Sequence, residues 1–182
     1  MNYHPPAPLI WLTGLSGAGK TTIARALGTE LEGRGVRLEI LDGDEIRSIV
    51  SPDLGFSRAD RDLQVRRIGY IAQLLTRNGV AVAVSAISPY RDSRAEALSL
   101  SDRSFEIFVK APLEVLCDRD TKGLYAKAAK GEISGLTGVD DPYEAPDAPD
   151  LVLDTSELDV EECLARIFDL LELAGGQDER TA

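Results

Sequence analysis

The sequence predicts a single α/β domain over residues 1–182, with a five-stranded parallel sheet, helices on both faces and a mobile lid. Three observations support this prediction. Short apolar runs alternate along the chain with segments of helical period. A chain of 182 residues fits one core rather than two. One long segment, about residues 119–149, interrupts the alternation. Strands separated by helices imply parallel crossovers, which cover both faces of a sheet.

The predicted elements follow in order. Strands are expected over residues 9–12, 36–40, 80–84, 105–109 and 151–153, where apolar or alternating runs occur. Helices are expected over 22–34, 57–78, 89–100, 113–119 and 160–173. Ser57 with Asp60 three residues later is typical of a helix N-terminus. Ser88 followed by Pro89 predicts another, with Ser88 as the N-cap.

The segment over about residues 119–149 has no apolar period long enough for a strand and contains four glycines. Loops longer than about 12–15 residues inside a compact domain are usually functional or disordered. Tyr125, Leu136 and Tyr143 offer apolar groups that could dock on the domain. These residues favour a lid over the alternative, an unstructured insertion.

Composition excludes several classes of function. The net charge is −11, so nucleic acid and anionic membranes are not expected as partners. The longest apolar run is too short to cross a bilayer, and no signal peptide is visible, so a cytoplasmic location is expected. Cys117 and Cys163 suit neither a disulfide scaffold nor a metal site and are predicted to be reduced thiols. His4, the only histidine, is not expected to be catalytic.

A phosphate-binding loop lies between the first predicted strand and the first helix. Two glycines four residues apart, followed by Lys20 and Thr21, match its pattern. Backbone N–H groups of such a loop converge on phosphate oxygens at a helix N-terminus. The Lys20 charge would meet the phosphates, and the Thr21 hydroxyl would ligate Mg²⁺. The residues predicted to bind a nucleoside triphosphate are Gly14, Leu15, Ser16, Gly17, Ala18, Gly19, Lys20, Thr21 and Thr22.

Two carboxylates follow the second predicted strand. Asp42 lies at the carboxyl end of that strand, on the side of the phosphate loop, where binding sites of open parallel sheets form. A carboxylate there can accept the proton of an attacking hydroxyl or organise the magnesium shell. Asp44 is interpreted either as a ligand contact or as the N-cap of a short helix.

Basic side chains gather around the predicted long helix, although the chain is acidic overall. Two or three of them are expected to face an anionic ligand, and some to pair with Asp60 and Asp62. Gln64 shares a helix face with Arg61. Phe56 is either a hydrophobic staple or a stacking surface for a purine. Arg91 is expected to point into the crevice at the strand ends. The arginines are Arg47, Arg58, Arg61, Arg66 and Arg67.

These segments resemble the adenylylsulfate kinase family in order and spacing over nearly the whole chain. The resemblance rests on the phosphate loop, on Asp42-Gly-Asp44 with Arg47, on Gly55-Phe-Ser with Ala59-Asp-Arg61, and on Ile87-Ser-Pro-Tyr-Arg91. The lid adds Lys122-Gly-Leu-Tyr125 and the specific string Thr137-Gly-Val-Asp-Asp-Pro-Tyr-Glu-Ala-Pro146.

The resemblance implies an enzyme that uses ATP and Mg²⁺ to phosphorylate the 3′-hydroxyl of adenosine 5′-phosphosulfate, giving 3′-phosphoadenosine 5′-phosphosulfate in sulfate activation. It implies that Asp42 and Lys20 are catalytic and that Arg119 meets the ATP. It also implies a homodimer, with an ATP sulfurylase as metabolic neighbour. The residues expected to contact the substrate are Asp44, Arg47, Phe56, Arg61, Gln64, Ile87, Ser88, Arg91, Lys122 and Leu136.

Two departures from the family pattern concern the substrate pocket. Leu136 stands where family members usually carry Phe, and Gln64 stands where they usually carry Asn. Loss of one aromatic surface around the purine would remove about 0.5–1.5 kcal/mol of stacking. Weaker substrate binding or a shifted substrate is therefore expected. The alternatives are a kinase of another nucleotide or small alcohol, and a non-catalytic nucleotide-binding partner of ATP sulfurylase.

Overall fold

A computed structural model describes the backbone of residues 7–178 and the side chains of residues 7–172. Its five strands form one parallel sheet in the order β2-β3-β1-β4-β5. The strands are β1 (Leu9–Thr13), β2 (Leu38–Asp42), β3 (Ala81–Ser85), β4 (Ser104–Lys110) and β5 (Leu151–Asp154). The predicted five-stranded parallel sheet is confirmed. His4 lies outside the described residues.

Seven helices connect and follow the strands in the described part of the chain. They are α1 (Lys20–Gly33), α2 (Gly43–Ile49), α3 (Arg58–Thr76), α4 (Arg91–Leu98), α5 (Leu113–Arg119), α6 (Leu124–Ala129) and α7 (Val160–Asp178). Within residues 7–178, no helix is long and apolar enough to cross a membrane. Both cysteines are free thiols, Cys117 exposed and Cys163 buried.

Alternation along the central strand β1 produces the two apolar layers. Ile10 and Leu12 pack into the layer that holds α1 and α7. Leu9 and Trp11 point the other way, into the layer that holds α3 and α4. All four side chains are fully buried. Because successive side chains of a strand point to opposite faces, a continuous apolar strand requires helices on both faces, as observed.

The second strand begins two residues later than predicted. The Val36 N–H bonds to the Leu31 carbonyl at 2.9 Å, and Gly35 has a φ of 74°. This arrangement closes the carboxyl end of α1, so residues 36 and 37 belong to the turn rather than to the strand. The strand also ends two residues later than the predicted residue 40, so Asp42 is its last residue.

The structure differs from the sequence at two capping residues: the predicted N-cap role of Ser88 is wrong, and of the two interpretations of Asp44 the N-cap does not hold. The Asp42 carboxylate, not that of Asp44, caps α2 by accepting from the Asp44 N–H at 3.0 Å. Helix α4 begins at Arg91 after Tyr90, so Ser88 is not its N-cap. Ser88 has a φ of 47°, and its hydroxyl instead accepts from the Trp11 indole N–H at 3.1 Å. The capping box of Ser57 and Asp60 on α3 is confirmed.

The segment predicted as a lid contains a helix that sequence periodicity did not predict. Asp120 accepts hydrogen bonds from the N–H groups of Tyr125 and Ala126, which begin α6. The Tyr125 hydroxyl then donates to the Ser16 carbonyl at 2.9 Å. This contact joins the lid to the phosphate loop. The expected docking role of Tyr125 is therefore confirmed.

Candidate active site

A cavity of about 490 Å³ opens at the carboxyl ends of the sheet strands. Its walls come from the phosphate loop, the ends of β2 and β3, helices α2 and α3, and the first residues of the lid. The structure therefore brings together side chains that are distant in sequence. The predicted site residues along this cavity are Ser16, Gly17, Gly19, Lys20, Thr21, Thr22, Asp42, Asp44, Arg47, Phe56, Arg61, Gln64, Ile87, Ser88 and Lys122.

The phosphate loop requires glycine at its first position. Gly14 has a φ of 148°, and a Cβ atom there would overlap the carbonyl oxygen of Val109 on β4. Lys20 at the start of α1 curls back, so that its ammonium donates to the carbonyls of Gly14 at 2.8 Å and Leu15 at 2.7 Å. Burial, with a contribution from the Lys122 charge, lowers the pKa of Lys20 to about 7. A bound polyphosphate would favour the charged ammonium and reverse this effect.

Three oxygen-bearing side chains meet beside the loop. The Thr21 hydroxyl donates to the Asp42 carboxylate at 2.8 Å and lies 2.9 Å from the Ser85 hydroxyl. Parallel pairing of β2 with β3 places Asp42 directly beside Ser85. Hydroxyl and carboxylate oxygens are the ligands that Mg²⁺ prefers, so this donor set fits a magnesium ion held jointly with phosphates. Ser85 was not predicted, although its position at the end of a buried strand beside Asp42 was the signal for it.

Residues 119–149, the segment predicted as a lid, contact the second carboxylate of the site, Asp44. Lys122 at the beginning of the lid forms an ion pair with Asp44 on α2. Both side chains are more than half exposed, so water screens the pair and it contributes little to folding stability. The pair spans the mouth of the cavity between the lid and α2.

Arg61 is the most constrained basic group of the cavity. It is buried on α3 and donates to the carbonyl of Phe56 at 2.9 Å. Its two terminal nitrogens reach the lid, at Thr137 Oγ1 and the Gly135 carbonyl, both at 2.7 Å, and at Asp141 at 3.0 Å. Arg61 therefore holds the lid against α3 while it faces the cavity.

Arg47 and Phe56 form the outer wall. The Arg47 guanidinium donates to the Gly55 carbonyl at 2.7 Å and lies 4.9 Å from the centre of the Phe56 ring. Burial and the neighbouring Arg61 charge lower the pKa of Arg47. A hydrophobic staple would pair Phe56 with an apolar residue at the fourth position of α3, and Arg61 occupies that position, so Phe56 is not a staple. Its ring is 67% exposed and free to stack on a ligand.

The other three arginines of the predicted cluster pair with carboxylates outside the cavity. Arg58 lies 3.6 Å from Glu144 and 3.9 Å from Asp62, Arg66 lies 2.8 Å from Glu96, and Arg67 lies 2.7 Å from Asp53. Of the five arginines, Arg47 and Arg61 line the cavity, and their contact with an anionic ligand stays a prediction. Arg25, one helical turn after Thr21 on α1, also lines the cavity and was not predicted.

Gln64 supplies a neutral polar group to the cavity wall. Its amide nitrogen donates to the Gly43 carbonyl at 3.2 Å. The amide oxygen is buried and has no hydrogen-bond partner within the described residues. Because an unsatisfied buried acceptor costs free energy, this oxygen is suited to accept a hydrogen bond from a bound ligand.

Six predicted site residues do not line the cavity. Gly14, Leu15 and Ala18 belong to the phosphate loop itself, and the other three lie elsewhere. The expectation that Arg91 faces the crevice is wrong, because α4 begins at this residue and directs its side chain to the Ala145 carbonyl at 2.7 Å and Asp147 at 3.1 Å. Leu136 is buried in the apolar cluster that holds α1 and is not among the residues that line the cavity, so its role at a purine site stays a prediction. Arg119 does not line the cavity; it donates to both oxygens of Thr155 and, at 3.5 Å, to the Gly17 carbonyl of the phosphate loop.

Comparison with known proteins adds a family match. The family model described as adenylylsulphate kinase matches residues 7–154. An adenylyl-sulfate kinase of Chloroflexus aurantiacus is 56% identical over 164 residues, which are 90% of this chain and 88% of the relative. The structure of the Mycobacterium tuberculosis APS kinase CysC in complex with AMPPNP and APS is 42% identical, with a TM-score of 0.89, and covers 92% of this chain and 99% of its own. A hexameric APS kinase from Thiobacillus denitrificans is 34% identical, with a TM-score of 0.70, over 95% of this chain and 30% of its own.

Proposed function

The chain belongs to the adenylylsulfate kinase family, and we propose that it transfers the γ-phosphoryl group of ATP to the 3′-hydroxyl of adenosine 5′-phosphosulfate. The product is 3′-phosphoadenosine 5′-phosphosulfate. One observation carries the proposal: a single cavity joins the phosphate loop, the Asp42 carboxylate and a wall of two arginines with Gln64. Such a cavity places a triphosphate and an anionic acceptor nucleotide side by side.

The donor side of the cavity binds ATP through the loop. Backbone N–H groups and the Lys20 ammonium bind the phosphates, at the N-terminal end of the α1 dipole. Mg²⁺ would be held by the oxygens of Thr21, Asp42 and Ser85. When bound, this ion neutralises negative charge on the phosphates. Arg119 supports this side, because its contacts to Thr155 hold the segment after β5 against the loop.

Asp42 is the residue that activates the acceptor. One carboxylate oxygen accepts from Thr21 and the other from the Asp44 N–H, so the group is fixed at the end of β2. In that position it orients the 3′-hydroxyl and accepts its proton as the phosphoryl group is transferred. Little covalent work falls to the protein in such a transfer, and positioning with charge stabilisation dominates.

The acceptor side recognises a purine nucleotide with a negatively charged 5′ group. Arg47 and Arg61 meet the phosphosulfate, and the exposed Phe56 ring stacks on the base. The unpaired Gln64 oxygen accepts a hydrogen bond from the nucleotide. Lys122 exchanges its Asp44 contact for the phosphates when the lid moves over the substrates, which excludes water and prevents ATP hydrolysis.

An acceptor panel tests the proposal. ADP release is followed with ATP and Mg²⁺ in the presence of adenosine 5′-phosphosulfate, AMP, adenosine or no acceptor. Fast turnover is expected with the phosphosulfate alone and should be lost in Lys20→Met, which confines the reaction to this phosphate loop. Preferred turnover of another acceptor would indicate a kinase of a different nucleotide or small alcohol. No turnover above the blank would indicate a nucleotide-binding subunit.

The partners remain part of the proposal. We expect a homodimer in the cytoplasm that receives adenosine 5′-phosphosulfate from an ATP sulfurylase. The hexameric relative from Thiobacillus denitrificans supports self-assembly within the family but not this stoichiometry. Light scattering coupled to size-exclusion chromatography measures the mass of the particle, and a mass of one chain of 19.7 kDa would contradict the dimer.

A further inference from the structure

Arg94 on α4 is a fully charged side chain buried almost completely, with 1% of its surface exposed. Its three guanidinium nitrogens contact three different segments. Nε donates to the Glu106 carboxylate on β4 at 2.6 Å, Nη1 to the Ser88 carbonyl at 2.7 Å and Nη2 to the Glu144 carbonyl at 2.8 Å. A buried charge is costly unless it is paired and hydrogen-bonded, and here each nitrogen has a partner.

The Ser88 carbonyl, one of the two that Arg94 holds, belongs to a strained part of the cavity wall. Ser88 has a φ of 47°, in the left-handed region, which is strained for a residue other than glycine. Such a conformation persists only where surrounding contacts determine it. Trp11 donates to the Ser88 hydroxyl, Thr13 donates to the Ile87 carbonyl at 2.7 Å, and Arg94 holds the Ser88 carbonyl. Ile87 and Ser88, hereafter the shelf, line the cavity at the end of β3.

The Glu144 carbonyl, the other one that Arg94 holds, belongs to the carboxyl-terminal end of the predicted lid. The Glu144 backbone N–H bonds to the Pro89 carbonyl at 2.8 Å, and its side chain accepts from the Arg91 N–H at 2.9 Å. The neighbouring Tyr143 hydroxyl lies 3.0 Å from the Thr13 hydroxyl. The carboxyl-terminal end of the lid is thus fastened to the same elements that hold the shelf.

We propose that Arg94 is a positioning residue that holds the shelf and the lid end at Glu144 as one unit. The planar guanidinium is suited to this role, because it directs separate N–H groups at acceptors that lie on different segments. The proposal rests on the proposed function, since the shelf is where the acceptor nucleotide would lie. Arg94 itself does not line the cavity and acts through the backbone that it holds.

Two matched variants separate this role from simple stability. Arg94→Lys keeps the buried charge beside Glu106 but replaces the fork by one nitrogen, so the two carbonyls lose their fixed partners. Glu106→Gln removes the charge of the ion pair but keeps an oxygen that accepts from Arg94, so both carbonyl contacts remain. Trp11 is the only tryptophan of the chain, and its indole donates to Ser88, so its fluorescence reports on the shelf.

Kinetics and fluorescence are measured on the full chain well below the melting temperature of each variant. In Arg94→Lys we expect the KM for adenosine 5′-phosphosulfate to rise about tenfold or more, since small misplacements of a bound reactant cost 10–100-fold. The KM for ATP should stay within about twofold, because the phosphate loop has no contact with Arg94. The Trp11 emission should shift to the red. Glu106→Gln should lower the melting temperature and leave both KM values and the emission unchanged.

The proposal requires both changes in Arg94→Lys and neither in Glu106→Gln. An unchanged acceptor KM, an unchanged emission, or equal effects of the two variants would overturn it. If Arg94→Lys does not fold, the double variant Arg94→Gln/Glu106→Gln is used in its place. It removes both members of the ion pair, so neither charge is left buried without a partner. If the wild-type chain does not use adenosine 5′-phosphosulfate, the proposed function fails. The role of Arg94 is then decided with whichever acceptor of the panel is phosphorylated, or by the Trp11 emission if none is.

Discussion

Replacement of Asp42 by asparagine isolates the charge of the proposed general base from its structural roles. Asp42 caps α2 by accepting from the Asp44 N–H at 3.0 Å and accepts from the Thr21 hydroxyl at 2.8 Å. Asparagine is as good an N-cap as aspartate, so Asp42→Asn should keep helix α2. We expect the free energy of unfolding to change by less than about 1 kcal/mol, because a side-chain oxygen remains available to the cap.

The loss should instead fall on the chemical step. General-base catalysis contributes about 10²–10⁴-fold in rate, which corresponds to about 3–5 kcal/mol of activation free energy. We therefore expect kcat for ADP release with adenosine 5′-phosphosulfate to fall by about 10²–10⁴-fold. Affinity for ATP in the absence of Mg²⁺ should change less than about threefold, because the phosphate loop is intact.

The assay combines coupled ADP release with calorimetric titration of ATP. Asp53→Asn is the matched control, since Asp53 is 57% exposed, pairs with Arg67 and does not line the cavity. It should leave kcat unchanged. The reasoning is refuted if Asp42→Asn reduces kcat by less than about tenfold, which lies well below the loss of about 10²-fold or more expected of a lost general base. It is refuted equally if binding of Mg²⁺-free ATP disappears together with activity, because Asp42 would then be needed for the nucleotide itself rather than for Mg²⁺ and the acceptor.

Two further predictions concern charge and backbone conformation. Burial, with the Lys122 charge, lowers the pKa of Lys20 from 10.5 to about 7. Between about pH 7 and 10.5 the unfolded chain therefore binds more protons than the folded chain. The free energy of unfolding should consequently rise with pH across this window. Bound ATP should favour the charged ammonium of Lys20, so ATP binding at about pH 8.5 should be coupled to proton uptake. Calorimetric titrations with ATP in buffers of different ionisation enthalpy measure this uptake, which should be absent in Lys20→Met. Gly138 has a φ of 87°, and a Cβ atom there would lie 2.6 Å from Leu15 Cδ2. Gly131 has a similar φ of 71°, but a Cβ atom there would meet only open space. Gly138→Ala should therefore lower the melting temperature more than Gly131→Ala. Equal losses in the two variants would show that the contact with Leu15 has no cost.

Local patterns were sufficient for most of the fold. The strand and helix periods of 2 and 3.6 residues depend only on neighbours along the chain, so β1, β3, β4 and β5 and most helices lie where the sequence predicts them. The phosphate loop and the capping box of α3 are equally local, because their glycines, hydroxyls and carboxylates act over three to five residues. The position of Asp42 at a strand end also followed from this local order.

Misassigned residues are those at which a contact from a distant segment outweighs a local preference. Ser88 has the sequence of a helix cap, but Trp11 and Arg94 hold it in a left-handed conformation, and α4 starts later. That later start turns Arg91 away from the cavity. Leu136 lies in the core and is not among the residues that line the cavity. The periodicity of the sequence does not predict the direction of these side chains.

The sequence by itself therefore determined the class of fold, the nucleotide loop and the family, because these depend on short patterns and on their order. Only the tertiary structure decided which side chains share the cavity. It brought Ser85 beside Asp42 through strand register, and it joined Arg61 to the lid. The physical reason is that side-chain direction at the ends of elements is set by packing and hydrogen bonds between segments far apart in the chain, which compete with local preferences of only about 1 kcal/mol.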